Sequence, residues 1–254
     1  MRPALLNRSG DRGRHRIAFS EELRGCVGSR PRMHPKTRLI LALDVTERAK
    51  ALAIAKDCTP FLDAIKVNYP LVLGAGLDIV RDLSKLRPVI CDFKVADVPN
   101  TNRLITELAF AHGAAGIIVH GFPGEDSLKA CLDAARGDVY VVAEMSHPGA
   151  EHFNAAIADD IAHLAVRLGA AGIIAPATRP ERLKLFREIV GKKLILSPGV
   201  GAQGGSAGWV IRMGADFAIV GRSIYEAEDP AAEAEKIAGE IGGAARARRP
   251  GRTA

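Results

Sequence analysis

The chain has 254 residues, of which 48% are hydrophobic and 25% are charged, and this is enough for one large domain with a substantial core. No apolar run approaches the roughly 20 residues that a membrane-spanning helix needs, and the start lacks the apolar stretch of a secretory signal, so we expect a cytoplasmic protein. The four cysteines are widely spaced and form no C-x-x-C pair, which argues against a disulfide framework and a zinc site.

The formal net charge of +6 is concentrated at the two ends of the chain. Residues 1–32 hold eight arginines against three acidic residues, a net +5, and residues 244–254 hold four arginines and no acid, so residues 33–243 carry −3. We therefore predict a disordered basic extension over 1–34, one domain over 35–243 and a disordered Arg-rich tail over 244–254. Met33 is an alternative start. The acidic domain argues against nucleic acid as a partner.

From Arg38 onward the chain repeats one unit, a short apolar run followed by a segment with helical spacing. Eight such units over about 200 residues predict a single-domain (β/α)8 TIM barrel, because parallel strands covered on both faces are apolar throughout. A doubly wound open sheet is the alternative, since a strand count does not prove closure. The eight runs are Leu39–Leu43, Ala64–Val67, Val89–Cys91, Gly116–Val119, Val139–Ala143, Gly172–Ala175, Leu194–Leu196 and Phe217–Val220.

Polar residues collect at the end of nearly every run, where a barrel of this class holds its functional groups. We interpret the two histidines among them, His120 and His147, as structural hydrogen-bonding groups. In chain order the set is Asp44, Lys66, Asp92, Lys94, His120, Glu144, Ser146, His147, Ser197, Gly221 and Arg222.

The most informative stretch is Asp92-Phe-Lys-Val-Ala-Asp97 after the third run. Residues two apart on an extended chain share a face, so Asp92 and Lys94 point the same way. Asp97 has the opposite parity and joins them only if the strand ends near Val95, which Pro99 favours. An ordinary ion pair on a solvated edge strand is the alternative interpretation.

A glycine-rich loop follows the seventh run, and its backbone N–H groups are free to approach an anion closely. Alone, such a loop is also consistent with a mobile linker. Paired with residues after the eighth run, it predicts a phosphate site at the position where barrels bind phosphate. The residues assigned to this site are Pro198, Gly199, Gly201, Gln203, Gly204, Gly205, Gly221 and Arg222.

Five motifs in order, spanning about Arg38 to Gly239, resemble the orotidine 5′-phosphate decarboxylase family. The resemblance implies cofactor-free conversion of orotidine 5′-phosphate to uridine 5′-phosphate and CO2 in pyrimidine nucleotide (UMP) synthesis, with no metal. The motifs are Asp92-Phe-Lys-Val-Ala-Asp-Val-Pro99, Val119-His-Gly-Phe122, Glu144-Met-Ser-His-Pro-Gly149, Ser197-Pro-Gly-Val-Gly-Ala-Gln-Gly-Gly205 and Val220-Gly-Arg-Ser-Ile-Tyr225.

The resemblance also implies a role for individual residues. Lys94 is the implied proton donor, within a catalytic array of Lys66, Asp92, Lys94 and Asp97. Asp97 comes from the neighbouring subunit of a homodimer, so the active site is shared across the interface.

The implied substrate contacts follow in the same way. Asp44 and Lys66 contact the ribose, and Asp97 and Thr101 contribute from the second subunit. Ser146 binds the pyrimidine. Gln203 bridges base and phosphate, and Arg222 with the Gly221 amide holds the phosphate.

Two other classes of function compete with this interpretation. Mg-dependent sugar-phosphate enzymes, such as 3-keto-L-gulonate 6-phosphate decarboxylase or hexulose phosphate synthase, share D-x-K-x-x-D. They place a metal-binding carboxylate on the second strand, where this chain has Lys66. The second class is a binding protein without catalytic activity. The complete catalytic array argues against a silent nucleotide-phosphate binder, and the acidic domain argues against an RNA-associated protein that acts through its basic ends.

Overall fold

The computed structural model describes Met33, residues 35–201 and residues 206–248. Eight parallel strands follow one another around a closed barrel, in which β8 pairs with β1. The strands are β1 (Leu39–Leu43), β2 (Ala64–Val67), β3 (Val89–Val95), β4 (Gly116–His120), β5 (Asp138–Val142), β6 (Gly172–Ile174), β7 (Leu194–Pro198) and β8 (Phe217–Val220). The helices are α1 (Arg48–Cys58), α2 (Tyr69–Ala75), α3 (Ile79–Ser84), α4 (Pro99–Ala111), α5 (Glu125–Ala134), α6 (Ala150–Phe153), α7 (Ala158–Arg167), α8 (Pro180–Val190), α9 (Ala207–Met213), α10 (Arg222–Tyr225) and α11 (Pro230–Arg248).

The predicted barrel is confirmed, and its closure excludes the doubly wound open sheet. Each of the eight predicted apolar runs coincides with a strand, to within a few residues at the ends. The third run extends furthest beyond its predicted end, to Val95, where the expected bend begins.

The core has two layers, because successive side chains of a strand point to opposite faces. One layer packs between the strands and the surrounding helices. The other fills the inside of the barrel with side chains from alternate strand positions, and it leaves the carboxyl-terminal rim to polar groups. The interior layer consists of Ile40, Ala42, Ala64, Ile90, Ile118, Tyr140, Val142, Ile174, Leu196, Phe217 and Ile219.

The amino-terminal end of the barrel is anchored by the carboxylate of Asp63. It accepts hydrogen bonds from the backbone N–H groups of Lys36, Thr37 and Arg38 at 2.7, 3.2 and 2.9 Å. Arg38 has a φ of 62°, a left-handed conformation that costs a non-glycine residue roughly 1–2 kcal/mol. The three hydrogen bonds hold this strained entry into β1.

The carboxyl-terminal boundary differs from the prediction. We expected a disordered tail from residue 244, but α11 continues to Arg248 and Ala244 is buried beside Gly208 of α9. Ile237, Ile241 and Ala244 recur at helical spacing, so this segment has an apolar face to bury. Residues 1–32 and 249–254 lie outside the described part of the chain. Within it, no helix combines the length and hydropathy needed to cross a bilayer.

Candidate active site

Four charged residues meet at the carboxyl-terminal rim, because parallel strands bring their carboxyl ends to one edge. Asp44 lies just after β1, Lys66 lies in β2, and Asp92 and Lys94 lie in β3. Lys66 is paired with Ala42 on one side and with Ile90 on the other, so it stands between the two acidic residues.

The four side chains form a continuous row of alternating charge. Lys66 Nζ lies 3.5 Å from Asp44 Oδ1 and 3.0 Å from Asp92 Oδ2. Lys94 Nζ donates to both carboxylate oxygens of Asp92 at 2.8 Å. Lys66 and Asp92 are each only 5% exposed, whereas a third of the Lys94 side chain faces the cavity. The arrangement is therefore a charge network with a buried centre rather than the ion pair on a solvated edge strand that the sequence also allowed.

The backbone of β3 is distorted where it delivers Lys94. Lys94 has a φ of 44°, and the pairing of β3 with β4 shifts register between Cys91 and Val95. The Tyr69 hydroxyl donates to the Phe93 carbonyl at 2.9 Å, and the two rings stack at 5.4 Å. Left-handed backbone at a lysine is strained, and such strain concentrates at functional sites.

The electrostatics keep the central carboxyl group ionised. Burial alone would raise the pKa of Asp92, but the ammonium groups of Lys66 and Lys94 outweigh it and hold this pKa below its ordinary value. Burial, followed by the charge of Lys94, lowers the pKa of His120 to about 4, so this imidazole is neutral beside the array at physiological pH. Its Nδ1 atom is buried without a hydrogen-bond partner among the described residues.

A cavity of about 330 Å³ opens above this row, with a polar rim and an apolar floor of Ile118, Val142, Ile174 and Ile219. Its size and lining suit a small polar ligand with one flat apolar part. Met145, His147, Asn68 and Tyr225 also line it. The sequence-predicted residues that reach the cavity are Asp44, Lys66, Asp92, Lys94, Ser146, Pro198, Gly199, Gly221 and Arg222.

Ser146 is held in place by a buried charge cluster that sequence analysis missed. Glu144 is 1% exposed and accepts from Arg179 Nε at 2.6 Å and from Arg182 Nε at 2.7 Å. Arg179 also donates to the Met145 carbonyl, and Thr178 Oγ1 donates to the Ser146 carbonyl at 3.0 Å. The sequence signal for this cluster is Glu144 at the end of an apolar strand. A carboxylate buried there requires cationic partners such as Arg179 and Arg182.

Glycines leave space at the ends of β7 and β8. Gly199 and Gly201 have φ values of 96° and 76°, in the region that favours glycine. A Cβ atom at Gly201 would lie 2.2 Å from the Ser223 hydroxyl, so a larger residue would strain the backbone and force the Ser223 side chain to move. Arg222 begins α10 at the edge of the same cavity.

Not every predicted residue reaches the cavity within one chain. Asp97 and Thr101 lie on the β3–α4 connection and in α4, outside the cavity lining, and Gly201 after β7 is outside it as well. None of the ion pairs between described residues includes Asp97, whose carboxylate is exposed. Gln203, Gly204 and Gly205 lie outside the described residues, and their assignment stays a prediction.

The sequence is similar to one family over most of its length. The model of the family described as orotidine 5′-phosphate decarboxylase / HUMPS matches residues 37–237. A relative from Methanococcoides burtonii named orotidine 5′-phosphate decarboxylase is 60% identical over 213 residues, covering 82% of this chain and 99% of the relative. One of the same name from Thermococcus kodakarensis is 49% identical over 209 residues, covering 81% and 97%.

Solved structures of proteins with equivalent names are similar to this chain in fold and in sequence. Orotidine 5′-monophosphate decarboxylase from Methanocaldococcus jannaschii, complexed with the inhibitor BMP, has a TM-score of 0.78 and 46% identity, covering 82% of this chain and 99% of that one. Orotidine 5′-phosphate decarboxylase from Pyrococcus horikoshii has a TM-score of 0.76 and 45% identity, covering 80% and 99%. Both similarities extend over the whole barrel.

Proposed function

Since this chain belongs to the orotidine 5′-phosphate decarboxylase / HUMPS family, we propose that it converts orotidine 5′-phosphate to uridine 5′-phosphate and CO2 in the synthesis of UMP, without a cofactor. One observation carries this proposal above all. The row Asp44–Lys66–Asp92–Lys94, whose central pair is buried, ends with an ammonium group exposed to an open cavity.

Lys94 is the proton donor in this mechanism. The bond between C6 of the pyrimidine and the carboxylate breaks, CO2 leaves, and the electron pair stays on C6. The ammonium group of Lys94 stabilises this developing charge and then transfers its proton to C6. The lysine left neutral is recharged from solvent. One side chain thus supplies both electrostatic stabilisation and the proton.

Asp92 and Lys66 prepare Lys94 for this step. The two Asp92 oxygens, each 2.8 Å from Lys94 Nζ, hold and orient the ammonium group. Asp92 also lies where the substrate carboxylate must approach, so repulsion between the two carboxylates raises the ground state and is relieved as CO2 departs. Lys66 keeps Asp92 ionised throughout.

Substrate binding uses the remainder of the rim. Arg222 and the Gly221 amide hold the phosphate with the glycine-rich loop, including Gln203, and Ser146 contacts the base. Asp44 and Lys66 contact the ribose. Binding energy from the phosphate, remote from the reacting carbon, contributes to catalysis by fixing the pyrimidine against the array.

The second subunit of a homodimer completes the site. Asp97 is exposed outside its own cavity, and two large apolar side chains on the loops after β3 and β4 are exposed as well, Val98 by 62% and Phe122 by 55%. An apolar surface of this kind beside a charged residue fits a protein interface. Asp97 and Thr101 of one subunit then reach the cavity of the other. We place the enzyme in the cytoplasm, where nucleotide synthesis supplies its substrate.

The experiment that tests this function is decarboxylation in EDTA, followed as the loss of ultraviolet absorbance of orotidine 5′-phosphate. Lys66 and Lys94 together balance the charges of Asp44 and Asp92, so activity should not need a divalent cation. Turnover at full rate in EDTA is the expected result. Consumption of orotidine 5′-phosphate only after addition of Mg²⁺ would overturn the cofactor-free mechanism, and no consumption under either condition would overturn the function itself.

A further inference from the structure

Two buried polar residues that have no part in the proposed chemistry enclose the backbone of Asp97. Asn102 of α4 is completely buried, and Ser127 of α5 is 3% exposed. Neither reaches the cavity. Burying an amide and a hydroxyl is unfavourable unless both are fully hydrogen-bonded, so their contacts identify what they hold.

The contacts form a closed circuit around the backbone of one residue, Asp97. The Asp97 N–H donates to Asn102 Oδ1 at 2.9 Å, and Asn102 Nδ2 donates to Ser127 Oγ at 2.6 Å. Ser127 Oγ then donates to the Asp97 carbonyl at 3.0 Å. A second bond from Asn102 Nδ2 to the Ser127 carbonyl, at 3.2 Å, ties the amide to α5.

This circuit fixes Asp97 from both sides while leaving its side chain outward. The carboxylate accepts only a local hydrogen bond from the Val98 N–H, at 2.6 Å, among the bonds described here, and the residue is exposed. Asn102 is suited to this task because one planar amide supplies an acceptor to Asp97 and donors to Ser127. The position of Asp97 is therefore set by α4 and α5 rather than by the ion pairs of its own barrel.

We propose that Asn102 and Ser127 are positioning residues that present Asp97 to the active site of the partner subunit. This inference rests on the proposed function, in which Asp97 acts across the dimer interface. The two residues act on the reaction only through Asp97. Their loss should therefore affect the cavity of the other subunit and leave the cavity of their own chain unchanged.

A heterodimer of full-length chains separates this role from a structural one. One subunit carries Lys94→Ala and the other carries Asp97→Ala, and two different affinity tags allow the mixed dimer to be isolated. Only one cavity in this dimer is complete, with Lys94 from the second subunit and Asp97 from the first. Asn102→Ala is then introduced into either subunit, so the same substitution is compared in two places.

The expected result is asymmetric. Asn102→Ala on the Lys94→Ala subunit, which donates Asp97, should lower kcat of the mixed dimer at least tenfold. The same change on the Asp97→Ala subunit should alter it less than twofold. Ser127→Ala should show the same asymmetry with a smaller loss, and it guards against poor folding of the Asn102 variant. Thr106→Val, one helical turn beyond Asn102 on the buried face of α4, is the matched control and should have no effect in either subunit.

Equal losses in the two placements, or no loss in either, would overturn the positioning role. A mixed dimer that is inactive even without a change at Asn102 would overturn the action of Asp97 across the interface, and the positioning role with it. Failure of the proposed function is recognised separately, since the unmodified homodimer would then not consume orotidine 5′-phosphate.

Discussion

Replacement of Lys94 by alanine removes the group to which the mechanism assigns both the proton and the stabilising charge. General acid catalysis contributes about 10²–10⁴ in rate, and one preorganised electrostatic contact contributes about 10²–10³. The product predicts a loss of about 10⁴–10⁷ in kcat for Lys94→Ala, or about 5–10 kcal/mol at 1.36 kcal/mol per tenfold change.

The fold should tolerate this change. Breaking a buried ion pair by deleting one partner costs about 3–5 kcal/mol when the other charge is left alone. Asp92 is not left alone, since Lys66 remains 3.0 Å away, so the loss of stability should be smaller than that. Thermal unfolding followed by circular dichroism should confirm a folded variant before its activity is interpreted.

Two further variants separate the contributions within this prediction. Lys94→Arg keeps a positive charge but has no proton to give at neutral pH, so it should recover at most the electrostatic part, about 10²–10³ over alanine. Lys236→Ala breaks an exposed ion pair on α11 and serves as the matched lysine control. The assay is absorbance loss of orotidine 5′-phosphate in EDTA. A kcat for Lys94→Ala within a hundredfold of the unmodified enzyme would refute the assigned role.

Three other predictions concern stability. Glycine adopts the left-handed backbone of Lys94 without strain, so Lys94→Gly should be about 1 kcal/mol more stable than Lys94→Ala. Its melting point should be roughly 2–4 °C higher than that of Lys94→Ala. An equal or lower melting point would contradict the backbone strain. The pKa of His120 is about 4 in the folded protein and 6.5 in the unfolded chain. As the pH falls, the unfolded chain therefore binds a proton at this histidine before the folded protein does, which favours unfolding. Stability should decrease from pH 6.5 to about 4, by at most about 1.4 kcal/mol per pH unit, and His120→Gln should lack this component in urea titrations. Asp63→Ala removes the acceptor of three backbone N–H groups and should lower the free energy of unfolding by about 2–3 kcal/mol, with kcat unchanged. Thermal unfolding measures this change. A loss below about 0.5 kcal/mol would show that these bonds do not anchor β1.

Strand positions and the order of rim residues were predictable because both follow from local pattern. A strand buried on two faces is an unbroken apolar run, and a polar residue ending such a run is visible without any structure. Hence Asp44, Lys66, Asp92 and Lys94 were assigned to one rim before their distances were known. The arginine content of residues 244–254 predicts disorder from residue 244, but α11 and its apolar face continue past that boundary.

The sequence by itself determined the eight strands, the charges at their ends and the family, since alternation, spacing and motif order are properties of the chain alone, whereas closure of the barrel was established by the pairing of β8 with β1. Only the tertiary structure decided which charges touch. Lys66 lies between Asp44 and Asp92 because β2 lies between β1 and β3, and Lys94 reaches Asp92 through a left-handed residue that no periodicity predicts. The enclosure of Asp97 by Asn102 and Ser127 was hidden for the same reason, because the hydrogen bond from Ser127 to Asp97, 30 positions apart, forms only when α5 packs beside α4.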